Sequence, residues 1–271
     1  MSEAGESLWK TLPLGRGVQL LERDRNGLVA LAKPAGILSH PNGPGDESRS
    51  LLNTRYNLEG EYFEWTHSGP MSRTGPAAPP EPAVQGEPKA PFRLWLLNRL
   101  DSATSGVILA ASNEELANAI KAQFKKKKVR KVYQALVFGA PRRSSELWND
   151  RLAVSKEGGH IRTEADRGSV AESRVSSVRT GRGQARVSLL KLEPLTGKSH
   201  QLRVQCAKRG LPIVGDQTYG DFARNREFSK VSGHKRLFLH SLETSFEYEY
   251  AGSESRFFAH ASLPPEFEEY L

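Results

Sequence analysis

"LWLLNRLDSATSGVILAAS", residues 94–112, decides how the chain is read. An apolar run halts at Asn98-Arg99-Leu100-Asp101, small polar residues follow, and a second apolar run begins after Ser105. An arginine and an aspartate two residues apart, between two buried segments, cost desolvation unless both are paired or take part in chemistry.

The surrounding chain narrows the choice. Its 271 residues allow one large domain or two small ones, and 37% are apolar, gathered in discrete runs that can build a core. No run approaches the roughly 20 apolar residues of a membrane span. The start, "MSEAGESLWKTLPLGRG", lacks a charged-then-apolar signal pattern. A single cysteine, Cys206, excludes an internal disulfide framework and a multi-cysteine zinc site. A cytoplasmic protein is therefore expected. The net charge of +8 and a pI near 9.6 favour a polyanionic partner.

Residues 1–17 read as an extended or loosely docked tail, and 18–271 as the folded unit. Leu28–Lys33 reads as a strand stopped by Pro34 and Gly36. Residues 66–91, rich in Pro, Gly, Ala and Ser, read as an inserted, flexible loop. "SGVILAAS" (105–112) is a strand, and Ser112 with Glu115 offers a capping box for a helix carrying Leu116, Ala119, Ile120 and Phe124. Six basic residues fall between Lys125 and Lys131, before a strand over 132–139. Residues 140–185 suggest several short strands, and 185–194 a clear one. Residues 196–210 turn into a short helix that stops at Gly210, 211–220 are turn-rich, and 236–250 alternate as one or two antiparallel strands. Strands outnumber helices and do not alternate with them, which predicts an α+β fold with a largely antiparallel sheet.

The chemistry is narrowed by what the chain lacks. The seven histidines are scattered, with no HExxH or His/Cys cluster, so no metal site is expected. No GxxxxGK[ST] or helix-opening GxGxxG is present, so no nucleotide cofactor is expected. Cys206, on the apolar face of a helix, reads as a buried small hydrophobe. His200 and His240 read as structural hydrogen-bonders. Arg203 sits in a helical first turn beside Leu202 and Val204, where a buried guanidinium needs an anionic partner. Asp101 is available. Such a pair is equally a structural salt bridge and an oriented carboxylate able to act as a nucleophile.

Six segments together resemble the RluA-type pseudouridine synthases. Asn98-Arg99-Leu100-Asp101-Ser102-Ala103-Thr104-Ser105-Gly106 is similar to H-R-L-D-x-x-T-S-G. Lys131 to Val137 resembles K-x-Y-x-A-x-V, and Thr196 to Gln205 resembles T-G-R-[TS]-H-Q-I-R-V-H. Gly210 to Gly220 resembles G-x-P-I-x-G-D-x-x-Y-G, Lys33 to Gly36 is K-P-x-G, and Leu237 to His240 is L-x-L-H. The segments follow the family's order. The resemblance implies a pseudouridine synthase fold, a mixed and mainly antiparallel sheet with flanking helices and a central RNA-binding cleft. It implies isomerisation of a uridine in tRNA or rRNA, no cofactor, and a monomer. With only about 27 residues before the first strand, it also implies a catalytic domain without the N-terminal S4 domain of many relatives.

By the same resemblance Asp101 is the nucleophilic aspartate, Arg203 its partner, and Tyr133 the aromatic that stacks on the uracil and assists at C5. Whether Asp101 attacks the sugar or the base, or only removes a sugar proton, is open at this level. Arg99 takes the place of the flipped base, Leu202 packs on it, and Lys33 and Lys198 join in binding substrate. Asp216 and Tyr219 are expected to stabilise their glycine-bounded turn. Part of the Lys125–Lys131 run is expected on the RNA backbone, although cations also suit a helix C-terminus. Asn98, Lys198 and Gln205 depart from the pattern's histidine, arginine and histidine. Lys198 lacks the planar fork of arginine. A non-catalytic RNA-binding module and a basic DNA-binding protein compete with this reading, the latter without any helix-turn-helix or zinc-finger pattern.

Overall fold

The two apolar runs flanking Asn98–Asp101 become antiparallel neighbours, pairing Trp95 with Ala111 and Leu96 with Ala110. The structure is a computed structural model and describes residues 3–66, 90–157, 160–181 and 186–271. The Pro/Gly-rich insert expected at 66–91 falls, apart from its ends, outside these residues.

In chain order the helices are α1 (Glu3–Lys10), α2 (Glu114–Lys125), α3 (Gln201–Lys208) and α4 (Phe222–Ser232). The strands are β1 (Gln19–Arg23), β2 (Leu28–Lys33), β3 (Arg55–Asn57), β4 (Tyr62–Trp65), β5 (Phe92–Leu96), β6 (Ser105–Ala111) and β7 (Arg130–Phe138). They continue as β8 (Ser145–Glu157), β9 (His160–Ala165), β10 (Ser169–Thr180), β11 (Val187–Pro194), β12 (Leu239–Tyr250) and β13 (Ser253–His260). Among the described residues they join one 13-stranded sheet, ordered β3-β4-β5-β6-β12-β7-β11-β10-β8-β9, with β2 on β6, β1 on β2 and β13 on β12. Every pair is antiparallel except β6 with β12. The mainly antiparallel α+β architecture expected from the sequence is thus present.

β6 is buried along its whole length, which explains its unbroken apolar run. Ile108 and Ala110 pack with β3–β5 and α1, whereas Val107, Leu109 and Ala111 pack with α2, β12 and β13. A larger core joins β7 and β11 to α3, α4 and Phe267.

Several local expectations change. The N-terminal segment is no loose tail: Leu8 of α1 is buried, and Trp65 Nε1 donates to Thr11 Oγ1 at 3.2 Å. The cap of α2 is Asn113, not Ser112: Asn113 Oδ1 accepts the Leu116 N–H at 2.8 Å, and the Ser112 N–H, which a capping box would use, donates instead to the Gly27 carbonyl. The short strands expected over 140–185 are long ones. Asp150, Thr163 and Ser173 face inward among Trp148, Leu152 and Ala171, and these polar positions blur the period-two signal.

The parallel β6–β12 junction rests on two pairs, His240↔Ser105 and Ser241↔Gly106. Gly106 has φ +113°, and a Cβ there would stand 2.1 Å from the Ser241 carbonyl oxygen. Both strain and overpacking oppose any side chain. Gly106→Ala is expected to cost about 3 kcal/mol. Urea unfolding should show a lower midpoint with an unchanged slope.

Candidate active site

The loop from Leu97 to Thr104 carries Arg99 and Asp101 between β5 and β6, and the chain fastens it at several points. Asn98 Oδ1 accepts the Leu109 N–H at 2.7 Å. This is the work done by the residue that departs from the H-R-L-D pattern: it ties the loop to β6. Ser39 Oγ donates to the Leu100 carbonyl at 2.8 Å and accepts the Leu100 N–H at 3.0 Å. The Gly36 N–H donates to Ser102 O at 2.8 Å.

Lys33 completes the clamp and is corrected as a substrate ligand. It is 1% exposed, and Nζ donates to the carbonyls of Pro34, Ile37 and Ser102 at 3.0, 2.6 and 3.0 Å. All three N–H bonds of the ammonium are used on backbone. Burial pulls its pKa down to about 7, against the pull of the Asp101 charge and with the repulsion of Arg236. Lys33 holds the Asp101 loop and does not reach for RNA.

The second half of the site comes from α3 and the turn after it. Thr196 Oγ1 and the Lys198 N–H both donate to Gln201 Oε1, at 2.7 and 3.1 Å, while Gln201 Nε2 donates to the Glu172 carbonyl at 2.9 Å. These bonds pin the loop before α3 against β10. Arg203 then points along two carboxylates. Its Nη1 donates to Asp101 Oδ2 at 3.0 Å, and its Nε and Nη2 donate bidentately to Asp216 at 2.8 Å each. The side chains of Arg203 and Asp216 are 9% and 0% exposed, whereas that of Asp101 is 30% exposed. Burial opposes the Arg203 charge, but Asp216 and Asp101 outweigh it and raise the guanidinium above its ordinary value. Burial likewise opposes the Asp216 charge, and Arg203 with the N–H groups of Tyr219 and Thr218 outweighs it, so the carboxyl sits below its ordinary value.

The pairing expected from sequence is therefore present, with a second anion that the sequence reading assigned only to its turn. Asp216 does cap that turn, accepting Thr218 N–H at 2.8 Å and Tyr219 N–H at 3.0 Å. The signal available was an aspartate in a glycine-bounded turn; its long-range partner had none.

Tyr133 lies on β7, opposite Leu192 of β11 and Ser241 of β12. Burial pushes its phenol up to about 12, with a hydrogen bond from Ser241 acting the other way and the Asp101 charge adding to the rise. It keeps its proton at neutral pH. Arg99 is exposed and Lys198 half-buried, while Leu202 is only 7% exposed and packs into the core under α3.

Other sequence candidates resolve as structure. Cys206 is fully buried, and burial raises its thiol, so it is no nucleophile. Ser105 Oγ and His240 Nδ1 are 2.8 Å apart, and His240 Nε2 is 3.0 Å from the Ala261 carbonyl. Burial brings its pKa to about 4, leaving a neutral imidazole that fixes the β6–β12 junction. Gln205 bridges Ser173 at 2.7 Å and Asp150 at 2.9 Å, fully buried. In the basic run, Lys125 to Lys128 are exposed, Arg130 pairs with Glu193 at 2.8 Å, and burial lowers Lys131. Among the described residues no helix is long and apolar enough to cross a membrane.

A family model described as RNA pseudouridylate synthase matches residues 27–208. Ribosomal large subunit pseudouridine synthase C of Vibrio cholerae is 33% identical over 184 residues, 68% of this chain and 56% of that protein. The chain thus spans little more than half the length of that relative. tRNA pseudouridine synthase C of Haemophilus influenzae is 37% identical over 232 residues, 81% of this chain and 83% of that protein. The solved structure of human RNA pseudouridylate synthase domain containing 1 has a TM-score of 0.62 at 20% identity, covering 93% of this chain and 86% of that one, a likeness of fold.

Proposed function

The chain belongs to the RNA pseudouridylate synthase family, and we propose that it converts a uridine of tRNA or rRNA into pseudouridine with Asp101 as the reacting carboxylate. One observation carries the reading: an accessible carboxylate held at 3.0 Å by a buried arginine whose other face is neutralised by a second, fully buried aspartate. The Arg203–Asp216 unit supplies a fixed positive edge, and Asp101 meets it from the solvent side.

The reaction is an isomerisation. The N1–C1′ bond breaks, a C5–C1′ bond forms, the C5 proton leaves to solvent and N1 gains a proton. Nothing is oxidised or reduced, and no co-reactant enters. Asp101 stabilises or captures the detached fragment, attacking either sugar or base. A uridine inside folded RNA first leaves its stack. Tyr133 then offers its face to the uracil, worth about 1–3 kcal/mol per stacked base. Its high pKa supports a stacking role over that of a base at C5. Leu202 contributes the apolar edge, exposed Arg99 fills the vacated place in the RNA, and Lys198 meets backbone phosphate. Lys125 to Lys128, exposed beside the Tyr133 strand, add backbone attraction that weakens with salt. The tRNA and ribosomal pools put this work in the cytoplasm.

Release of tritium tests the reading. Total RNA labelled with [5-³H]uridine, from cells lacking the protein, should release tritium to water on addition of the protein alone, because C5–H is lost once per turnover. Absence of release from every RNA size class would remove the proposal.

A further inference from the structure

His200 stands between the catalytic carboxylate and a scaffold that fixes its ring. Its backbone has φ +53°, a left-handed value uncommon for a residue other than glycine or asparagine. Two bonds from β9 hold this corner: Thr163 Oγ1 donates to the Ser199 carbonyl at 2.8 Å, and the Thr163 N–H donates to Tyr219 Oη at 2.9 Å. Tyr219 Oη lies 2.8 Å from His200 Nδ1. The phenol spends one lone pair on Thr163. Among the described residues, Nδ1 is the acceptor within its reach, so the phenol proton points there. That leaves the imidazole proton on Nε2. Burial lowers the His200 pKa, with Asp101 raising it, Arg203 lowering it and Asp216 raising it, and the neutral ring results.

Nε2 lies 3.6 Å from Asp101 Oδ2, the oxygen that also receives Arg203 Nη1. This exceeds hydrogen-bond length, and such contacts tighten when substrate closes the site. Among the described residues no hydrogen bond reaches Asp101 Oδ1.

We propose that His200 is a positioning residue for Asp101: with Nδ1 fixed by Tyr219, its Nε2–H and the Arg203 guanidinium hold Oδ2 from two sides and leave Oδ1 as the oxygen that meets the substrate. The inference rests on Asp101 being the reacting carboxylate.

Two substitutions separate positioning from bulk structure. His200→Asn suits the left-handed backbone but is too short to reach Asp101. His200→Gln carries an amide nitrogen at the reach of Nε2. Single-turnover pseudouridine formation should fall about 30-fold in His200→Asn, with KM within about twofold of wild type, and recover most of the loss in His200→Gln. Equal impairment of the two variants, or an asparagine variant as fast as wild type, overturns the proposal. ¹⁵N NMR of the wild-type protein gives a readout free of RNA. An Nε2–H tautomer with unprotonated Nδ1 is expected, and an Nδ1–H tautomer overturns the assignment. A wild type with that tautomer but no activity on any RNA would instead sink the proposed function.

Discussion

Asp101→Asn is expected to abolish pseudouridine formation, lowering the single-turnover rate by on the order of 10⁴-fold or more, while RNA affinity stays within about threefold. Asparagine keeps the shape and an oxygen for Arg203 Nη1. It loses the charge and the nucleophilic, proton-accepting oxygen at the Oδ1 position. The Asp101 side chain is 30% exposed, so its neutralisation leaves little buried charge uncompensated. Tritium release reports the rate, and filter binding at fixed salt reports the affinity. A rate within tenfold of wild type would take Asp101 out of the centre of the mechanism.

The second large effect falls on stability as well as rate. Arg203→Met removes the guanidinium that Asp101 and the fully buried Asp216 share. Breaking a buried pair by deleting one partner costs about 3–5 kcal/mol. The loss has a pH signature. In the wild type the Asp216 carboxyl lies below its ordinary value of 3.8, so its contribution is present above that value and fades as pH falls through the depressed folded value. In the variant only the Thr218 and Tyr219 N–H groups still oppose burial, so the same carboxyl rises from its wild-type value and its charged form is penalised. The variant should therefore lie closest to wild type in acid and furthest from it at neutral pH. Urea unfolding at pH 4.5 and pH 7.5 checks this, and a pH-independent difference would remove Asp216 as the cause. Activity should fall with stability, because Asp101 loses its anchor on Oδ2.

Much of the fold was legible where burial is simple. β2, β6, β7 and β11 are buried strands with continuous or alternating apolar residues, and each was placed within a few positions. β1 leaves no signal in the sequence, because its mostly exposed residues carry no pattern. α4 is hard to read in the sequence because only Asn225 and Phe228 are buried, too thin a stripe, although Asp221 caps it and Gly233 ends it. In the site, charge logic led from Arg203 to Asp101, 102 residues away. It could not reveal that Arg203 serves two carboxylates, or that Lys33 turns inward to backbone carbonyls. A sequence shows that a charge needs a partner; only the folded chain shows how many it has and which of its faces remain in water.

The β6–β12 junction has a kinetic meaning. Ser105 and His240 are 135 residues apart in the chain, yet their contact sets the strand from which the Asp101 loop departs. Contacts of such separation add loop-closure entropy that must be met before they form, and non-local pairings of this kind slow folding. Asp101 belongs to one side of this junction, Arg203 and Asp216 to the other. The pair proposed as the reacting centre therefore spans a junction between strands far apart in the chain, and a chain in which β6 and β12 have not yet met has no Asp101–Arg203 contact to offer, even with most of its sheet already formed.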